Sequence, residues 1–454
     1  MSLQPLVPHD YQEESIQQIL RDKQTLVYAG VGSGKTLVGV EAMLRAETDV
    51  NLIVAPLNTF RGWQKTLQRQ GGKELQFIDA RKAGKEAHQQ LALGIPGYYF
   101  MGTERMRTQA WASWKLDFVI IDEVHKISNR KSKTFKMAKT MKALYRVGLS
   151  ATPAGNKVEG LYSVGKWHWP KTIPNSFVKW AQEYLYPEYN PFSQFNDWGA
   201  EREPGAIMRD FPSVARMPST YTDKPAIHDV MVELNPTQRK VYKQLEGEAI
   251  AFLEDNSLMV VDLPSTLYIR LIETTLATPS VEKTVDPETG EVKDTIYFKP
   301  DAKSSKADAL LEILGDLPPQ PVLVFTHSRK FAEFLTQRLV SKNYSAKAFV
   351  GGLPPQERFD LIDNFGVTYD IMVATIPAVG EGTDTLQHKC ATEVWCSVSD
   401  NNVLNTQAKG RLSRQGQENL VNRFVLRAQG TVEEKQAGRR ALDLSILEES
   451  LDTK

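Results

Sequence analysis

The chain is short of several things, and each shortage closes off a class of protein. Among its 454 residues there are two cysteines, Cys390 and Cys396. Two thiols exclude a disulfide framework and a structural zinc site of four thiolates. Set beside the strand-like stretch Ala391 to Trp395, they read as buried and reduced, which suits a reducing compartment. No apolar run approaches the roughly 18 residues that a membrane span needs. The N-terminus, MSLQPLVPHDYQEES, lacks the basic and apolar regions of a signal peptide. A cytoplasmic protein without membrane association is therefore expected. Neither charge is in excess: Lys plus Arg and Asp plus Glu each number 55. That balance neither favours nor opposes a polyanionic partner, because the local field of a groove decides such binding. No low-complexity tail is present, and no repeat with a period of about 20–50 residues. What remains, 41% hydrophobic and 24% charged, is an ordinary globular composition. The length allows two or three domains at about 150 residues each.

What is present is an alternation. TLVYAG from Thr25, NLIVAP from Asn51, YYFMG from Tyr98, FVIID from Phe118 and YRVGLSAT from Tyr145 are short apolar runs separated by helical patterns such as KTLVGVEAMLRA from Lys35. Continuous Val/Ile/Leu runs alternating with helices predict a parallel sheet buried on both faces. The same grammar restarts near Pro321 with VLVFTH, AKAFVG, YDIMVAT, EVWCSV and VNRFVLRA, and closes on a helical VEEKQAGRRALDLSILEESL. Between the two lies a different stretch. Trp167, Trp169, Trp180 and Trp198 crowd into it with many Tyr, Phe and Pro, and VEKTVDPETGEVKDTIYF from Val281 reads as a hairpin turning at Asp286 to Gly290. The expected layout is an α/β fold of two tandem doubly wound lobes: a first lobe over residues 1–160, a helical and aromatic insert with linker over 161–300, and a second lobe over 301–454.

Three motifs carry chemistry. Strand TLVYAG runs into Ala29-Gly30-Val31-Gly32-Ser33-Gly34-Lys35-Thr36 and then a helix. Glycines let backbone N–H groups turn toward phosphate oxygens, and the new helix aims its positive end at the same place. Lys35 then reaches the β and γ phosphates and the Thr36 hydroxyl ligates Mg²⁺. Alanine stands where the strict pattern has its first glycine. Strand FVIID ends in Asp122-Glu123-Val124-His125, at the C-terminal edge where open α/β sheets bind ligands. Asp122 is expected to hold Mg²⁺ through its water shell, Glu123 to orient and deprotonate an attacking water, and His125 to sense the γ-phosphate and pass its state onward. In the second half, Gln407-Ala408-Lys409-Gly410-Arg411-Leu412-Ser413-Arg414-Gln415-Gly416-Gln417 reads as helical, with Arg411 and Arg414 sharing one face as cations for a γ-phosphate.

With these motifs in this order, the chain resembles a superfamily-two helicase, and within that superfamily most nearly the Swi/Snf ATPases. His9-Asp10-Tyr11-Gln12 resembles the Q motif, with Gln12 the adenine-reading position. AGVGSGKT matches motif one, Val54-Ala55-Pro56-Leu57 through Trp63 motif one-a, and DEVH motif two with Val124 in place of alanine. Leu149-Ser150-Ala151-Thr152-Pro153 matches motif three in the SAT form of general helicases rather than the TGT form common in Swi/Snf proteins. Gly380-Glu381-Gly382-Thr383-Asp384 resembles motif five, and Gln407–Gln417 is motif six. Three further segments are similar to Swi/Snf sequence: VMVELNPTQRKVYKQL, SSKADALLEIL and FVLRAQGTVEEK.

The resemblance implies two RecA-like lobes. It implies ATP as nucleotide and Mg²⁺ as cofactor, with Gln12, Gly30, Gly32, Ser33, Gly34, Lys35, Thr36 and Asp384 at the ATP. Thr36 and Asp122 would hold the metal, Glu123, Lys35, Arg411 and Arg414 would be catalytic, and His125, Ser150, Thr152 and Gln407 would couple hydrolysis to movement. It further implies a nucleic-acid backbone held by Asn58, Thr59, Arg61, Thr103 and Arg105 in the first lobe, and by Thr326, His327, Ser328, Gly351, Gly352 and Thr375 in the second. Arg130-Lys131-Ser132-Lys133 with Lys136, Lys139 and Lys142 is either a solvated face or a phosphate track, and the Trp-rich stretch either core or a stacking wedge at a fork. The expected protein is a monomeric ATP-dependent DNA helicase or translocase on duplex, forked or branched DNA, in replication, recombination or repair. An RNA helicase and a duplex translocase that never separates strands are the alternatives; a non-enzymatic scaffold fits the intact motifs poorly.

Overall fold

The structure, a computed structural model, describes residues 4–30, 32–80, 85–108, 113–188, 197–219, 224–253, 258–260, 264–285, 292–380 and 385–451. The chain divides into two compact units, residues 1–222 with 442–454, and residues 223–441.

The first unit is built on seven strands. Across the sheet they run Phe77–Asp79, Gly97–Gly102, Val50–Ala55, Phe118–Asp122, Tyr145–Ser150, Gln24–Ala29 and Val214–Met217, and every neighbouring pair is parallel. Alternate residues of single strands enter two separate cores. Leu26, Leu52, Val54, Val119 and Ile121 face one side. Val27, Ile53, Ala55, Ile120 and Leu149 face the other, with Ile16, Val38, Met43, Trp63 and Leu67 from helices Asp10–Asp22, Lys35–Arg45 and Phe60–Gly71. A strand with no polar face must be covered twice, which is why the apolar runs are continuous.

The Trp-rich stretch supplies much of the first cover. Trp167, Trp169 and Trp180 are 1%, 5% and 1% exposed and sit in the same core as Leu26 and Ile121. Trp169 Nε1 donates to Gln24 O at 3.0 Å. Of the two readings, core or wedge, these three take the first: a ring with almost no exposed surface cannot stack on a base. Trp198 alone is half-buried, its ring edge-on to Phe177. Residues 161–217, expected as an insert, thus pack within the first unit and add the edge strand Val214–Met217 to its sheet.

The second unit has six parallel strands, in the order Ala226–Val232, Asn422–Ala428, Thr392–Trp395, Val322–Thr326, Ile371–Thr375 and Ala346–Phe349. Helices Ser305–Asp316 and Arg329–Ser341 pack on it through Ala307, Leu310, Phe331 and Leu335. The strands Ser280–Val285 and Val292–Tyr297 pair antiparallel as the expected hairpin, whose turn lies outside the described residues. Cys390 and Cys396 are buried and unpaired, and burial pushes both thiols up to about 12. The last helix, Val432–Leu451, ends with Leu447 and Leu451 in the core of the first unit. No helix among the described residues is long and apolar enough to cross a membrane.

Candidate nucleotide site and nucleic-acid interface

The glycine-rich loop leaves the strand Gln24–Ala29 and enters the helix Lys35–Arg45. Gly30 N donates to Met217 O at 3.0 Å, and a Cβ at Gly30 would stand 2.6 Å from the Ser219 backbone, so the edge strand is admitted only because residue 30 has no side chain. Gly34 begins the helix at φ +83°, and a Cβ there would meet Gln12 Nε2 at 2.3 Å. That space belongs to Gln12. Its Nε2 donates to Ser33 O at 2.9 Å while its Oε1 accepts from His9 N at 2.9 Å. Ser33 Oγ in turn donates to Gly30 O at 2.7 Å. The buried Gln12 therefore fastens the start of the first helix to Ser33 of the loop. Gly32 is also left-handed, at φ +78°.

Asp122 and Glu123 lie one strand away from that loop, because Tyr145–Ser150 stands between the two strands concerned. Asp122 is buried; its Oδ1 accepts from Glu123 N at 3.0 Å and its Oδ2 from Trp63 Nε1 at 3.3 Å. Burial, and then the neighbouring Glu123 carboxylate, push its carboxyl up to about 6, while Lys35 acts the other way. A cation beside it relieves that penalty. The residues fit Mg²⁺ in one specific manner: a single buried carboxylate and the Thr36 hydroxyl, with nucleotide phosphates completing the shell. No cluster of three or more His, Cys, Asp or Glu suited to a metal occurs among the described residues.

The intervening strand ends in the motif-three residues. Glu123 sits at φ +55° and turns the chain sharply into the short helix Val124–Ile127. His125 Nδ1 lies 3.1 Å from Glu123 Oε2 and 3.2 Å from Ser150 Oγ. Ser150 Oγ accepts from Thr152 N at 3.0 Å. A continuous polar path thus runs from the Glu123 carboxylate through His125 to Ser150 and Thr152.

In the second unit the helix Asn402–Lys409 carries Gln407 but stops before both arginines. Gly410 caps it, Arg411 N donates to Ala408 O at 3.0 Å, and Gly416 turns at φ +89°. Arg411 and Arg414 therefore occupy turns and do not share a helical face; two glycines in seven residues break the helix that the arginine spacing suggested. Beneath this turn lies charge. Glu393, fully buried on a central strand, pairs with Arg423. Burial, and then Arg423, lower the pKa of Lys409, the last residue of the helix. Asp384 lies outside the described residues.

The three additional family-like segments meet in one polar core. Gln238 Nε2 donates to Thr274 O at 2.8 Å and its Oε1 accepts from Ser305 N at 2.9 Å. Asn235 N donates to Ser305 Oγ at 2.8 Å. Lys306 Nζ, wholly buried, donates to both oxygens of Glu433 at 2.6 and 2.8 Å and to Cys396 O at 2.6 Å. Glu433 also accepts from Thr275 Oγ1 at 2.9 Å and Ala428 N at 2.8 Å. Sequence reasoning had located these segments but not this pair, since nothing in a lone Lys and a distant Glu announces that they meet. Trp63 on Asp122 was missed for the same reason.

The expected backbone-contact residues divide. Thr59 Oγ1 donates to Pro56 O at 2.7 Å at the start of the helix Phe60–Gly71, and Arg61 is exposed on its first turn. Asn58 lies in the turn Leu57–Thr59. Thr103 is buried with its hydroxyl on Glu104, and Arg105 is half-buried in the same turn. In the second unit Thr326 is enclosed, its Oγ1 3.0 Å from Ser397 Oγ, and His327 Nδ1 lies 2.7 Å from that same oxygen. Burial drives the His327 pKa down to about 4. Ser328 caps the helix Arg329–Ser341. Gly351 and Gly352 are exposed, and Thr375 ends its strand buried. Surface geometry thus offers Arg61, Gly351 and Gly352 more directly than Thr326 or Thr375.

The model of the DEAD/DEAH box helicases matches residues 9–161, and that of the helicase conserved C-terminal domain matches residues 305–416. The chain belongs to the superfamily-two helicases, a class of ATP hydrolases. It is 24% identical to an uncharacterised ATP-dependent helicase of Mycoplasma genitalium, over 94% of this chain and 40% of that protein. It is 23% identical to chromodomain-helicase-DNA-binding protein 1-like of Danio rerio, over 89% of this chain and 40% of that one. The chain spans about two fifths of the length of these two relatives. A solved structure, the Sulfolobus solfataricus SWI2/SNF2 ATPase core in complex with dsDNA, aligns over 100% of this chain and 98% of its own, at 17% identity and a TM-score of 0.43.

Proposed function

We propose that the chain couples ATP hydrolysis to movement along double-stranded DNA. The observation that carries this reading is the polar path from Glu123 through His125 to Ser150 and Thr152. It joins the group expected to act on the attacking water to the next motif, as a motor requires and a static nucleotide-binding module does not. The Gln12-braced loop supports ATP as the nucleotide. In this reading Lys35 meets the β and γ phosphates, Thr36 and Asp122 hold Mg²⁺, and Glu123 takes the proton of the water. Arg411 and Arg414 stabilise the charge that develops at the γ-phosphate. Mg²⁺ supplies charge neutralisation between the phosphates when bound.

DNA rather than RNA is favoured by the DNA-binding function named in the Danio rerio relative. Translocation without strand separation gains from the burial of Trp167, Trp169 and Trp180, which are core and not a wedge. Fork unwinding and branch migration remain open to a wedge formed elsewhere, Trp198 included.

The test is ATP turnover with duplex, forked, single-stranded DNA and RNA as separate stimulants, alongside triplex and strand displacement. Duplex should stimulate most, and triplex displacement should proceed. Glu123→Gln should retain ATP binding and lose about 10²–10⁴ in turnover, and Lys35→Ala should abolish it. Turnover indifferent to every nucleic acid sinks the motor reading; stimulation by RNA above DNA replaces it with an RNA helicase.

A further inference from the structure

Between Glu123 and Glu159 the sequence contains no acidic residue, although the chain as a whole has as many acids as bases. The same interval carries nine lysines and arginines. The structure sorts eight of them. Arg146 turns inward, its Nη1 donating to Trp167 O at 2.8 Å, and Arg130 lies 3.9 Å over the Phe177 ring. Lys157 stands 3.7 Å from Asp197. Lys131, Lys133, Lys136, Lys139 and Lys142 are all exposed, and no ion pair among the described residues engages them.

Local folding sets two of these five on one helical face and the other three in the segments that flank it. Ser132 Oγ accepts from Phe135 N at 3.1 Å and starts the short helix Lys133–Ala138. Phe135 and Ala138 are buried in the core, so Lys133 and Lys136 stand on the opposite face. The helix packs on two turns, Thr103–Thr108, which contains Arg105 and Arg107, and Val124–Ile127, which follows Glu123. The only acid on the first of these turns, Glu104, accepts from Thr103 Oγ1 at 3.2 Å.

We propose that this lysine ridge is a second phosphate-binding surface for duplex DNA, beside the turn Thr103–Thr108 and separate from the motif residues. The proposal rests on the DNA-motor reading above. Like charges held close in water repel one another mildly, and an ordinary solvated face mixes signs. A row of unopposed ammonium groups instead suits a row of phosphates, since each contact releases condensed counterions. Lysine contributes a point charge on a flexible stem, which positions a backbone without reading its sequence. Because the ridge helix also rests on the turn that follows Glu123, the surface lies close to the hydrolytic end of the same unit.

The experiment uses the full chain with Lys133, Lys136 and Lys139 changed together to Gln. A charge-matched control changes the exposed Lys73, Lys171 and Lys179 together to Gln. Binding of a blunt DNA duplex is followed by fluorescence anisotropy from about 50 to about 200 mM salt. The ridge variant should lose about 2 to 3 from the log–log salt slope, and at least about tenfold in affinity at the lowest salt. The control should keep the wild-type slope, and both variants should keep wild-type melting and unstimulated ATP turnover. A wild type that binds duplex while the ridge variant retains its slope overturns the ridge alone, as does a control that loses as much as the ridge variant. A wild type that binds no duplex overturns the motor reading and the ridge with it.

Discussion

The two lobes share an architecture and differ in how their polar residues are held. In the first, the linked groups gather in the loops that follow strand ends: Ser33 held by Gln12 from a helix, and Glu123, His125, Ser150 and Thr152 in a row. They are neutral contacts, or charges that solvent reaches. In the second, the corresponding depth is occupied by whole ion pairs, Lys306 with Glu433 and Glu393 with Arg423, with almost no exposed surface. A buried pair offsets a desolvation cost of several kcal/mol per ion and fails badly when one partner is removed. A strand-end contact does neither. The first lobe's polar wiring is thus arranged for chemistry and the second lobe's for holding the C-terminal segments in register.

Arg411 is the sharpest exception to that division, because it belongs to the second lobe and yet should act in turnover. Arg411→Ala should slow hydrolysis by about 10³–10⁵ while leaving ATP binding and melting near wild type. Single-turnover rates beside nucleotide titrations check it. A loss of melting temperature equal to the loss of rate makes the arginine structural.

The ion pair carries the next largest effect. Glu433→Ala should destabilise the second lobe by about 3–5 kcal/mol, read by denaturant unfolding. The double variant Lys306→Met with Glu433→Leu should recover most of that, since an apolar pair of similar volume leaves no charge stranded. If the double variant is as unstable as the single, the pair's value lies in its bonds to Cys396 O and Ala428 N and not in its charges.

The smallest expected effect is a pH dependence of the second lobe. Burial holds His327 near 4, well below its ordinary value of about 6.5. A histidine kept neutral contributes stability that is complete above about pH 6.5 and is lost as the pH falls toward 4, because the unfolded chain takes up the proton first. His327→Asn should flatten that decline, by less than about 1 kcal/mol at pH 5.5, because the residue is half-buried and solvent screens part of its charge. Melting curves of wild type and variant between pH 7 and pH 5 decide it; parallel curves remove His327 as the cause.

How much of this could be read beforehand follows from what each feature depends on. The strands Gln24–Ala29, Val50–Ala55 and Phe118–Asp122 were legible because a buried parallel strand needs an unbroken apolar run and little else. The phosphate loop and the DEVH turn were legible because their chemistry is local: glycines, a lysine and two carboxylates within a few residues. The hairpin at Ser280–Val285 announced itself through its turn. The arginine helix was misread because spacing alone suggested a shared face, while Gly410 and Gly416 ended it. What only the tertiary structure decided is every feature joining distant residues: Trp63 on Asp122, Ser219 against Gly30, Lys306 on Glu433, the tryptophans turned inward and the lysines left outward. A sequence lists which side chains are charged or aromatic. Whether each is enclosed, paired or offered to solvent depends on what the rest of the chain brings beside it, and for Lys306 and Lys136, the same residue type in one molecule, that gave opposite answers.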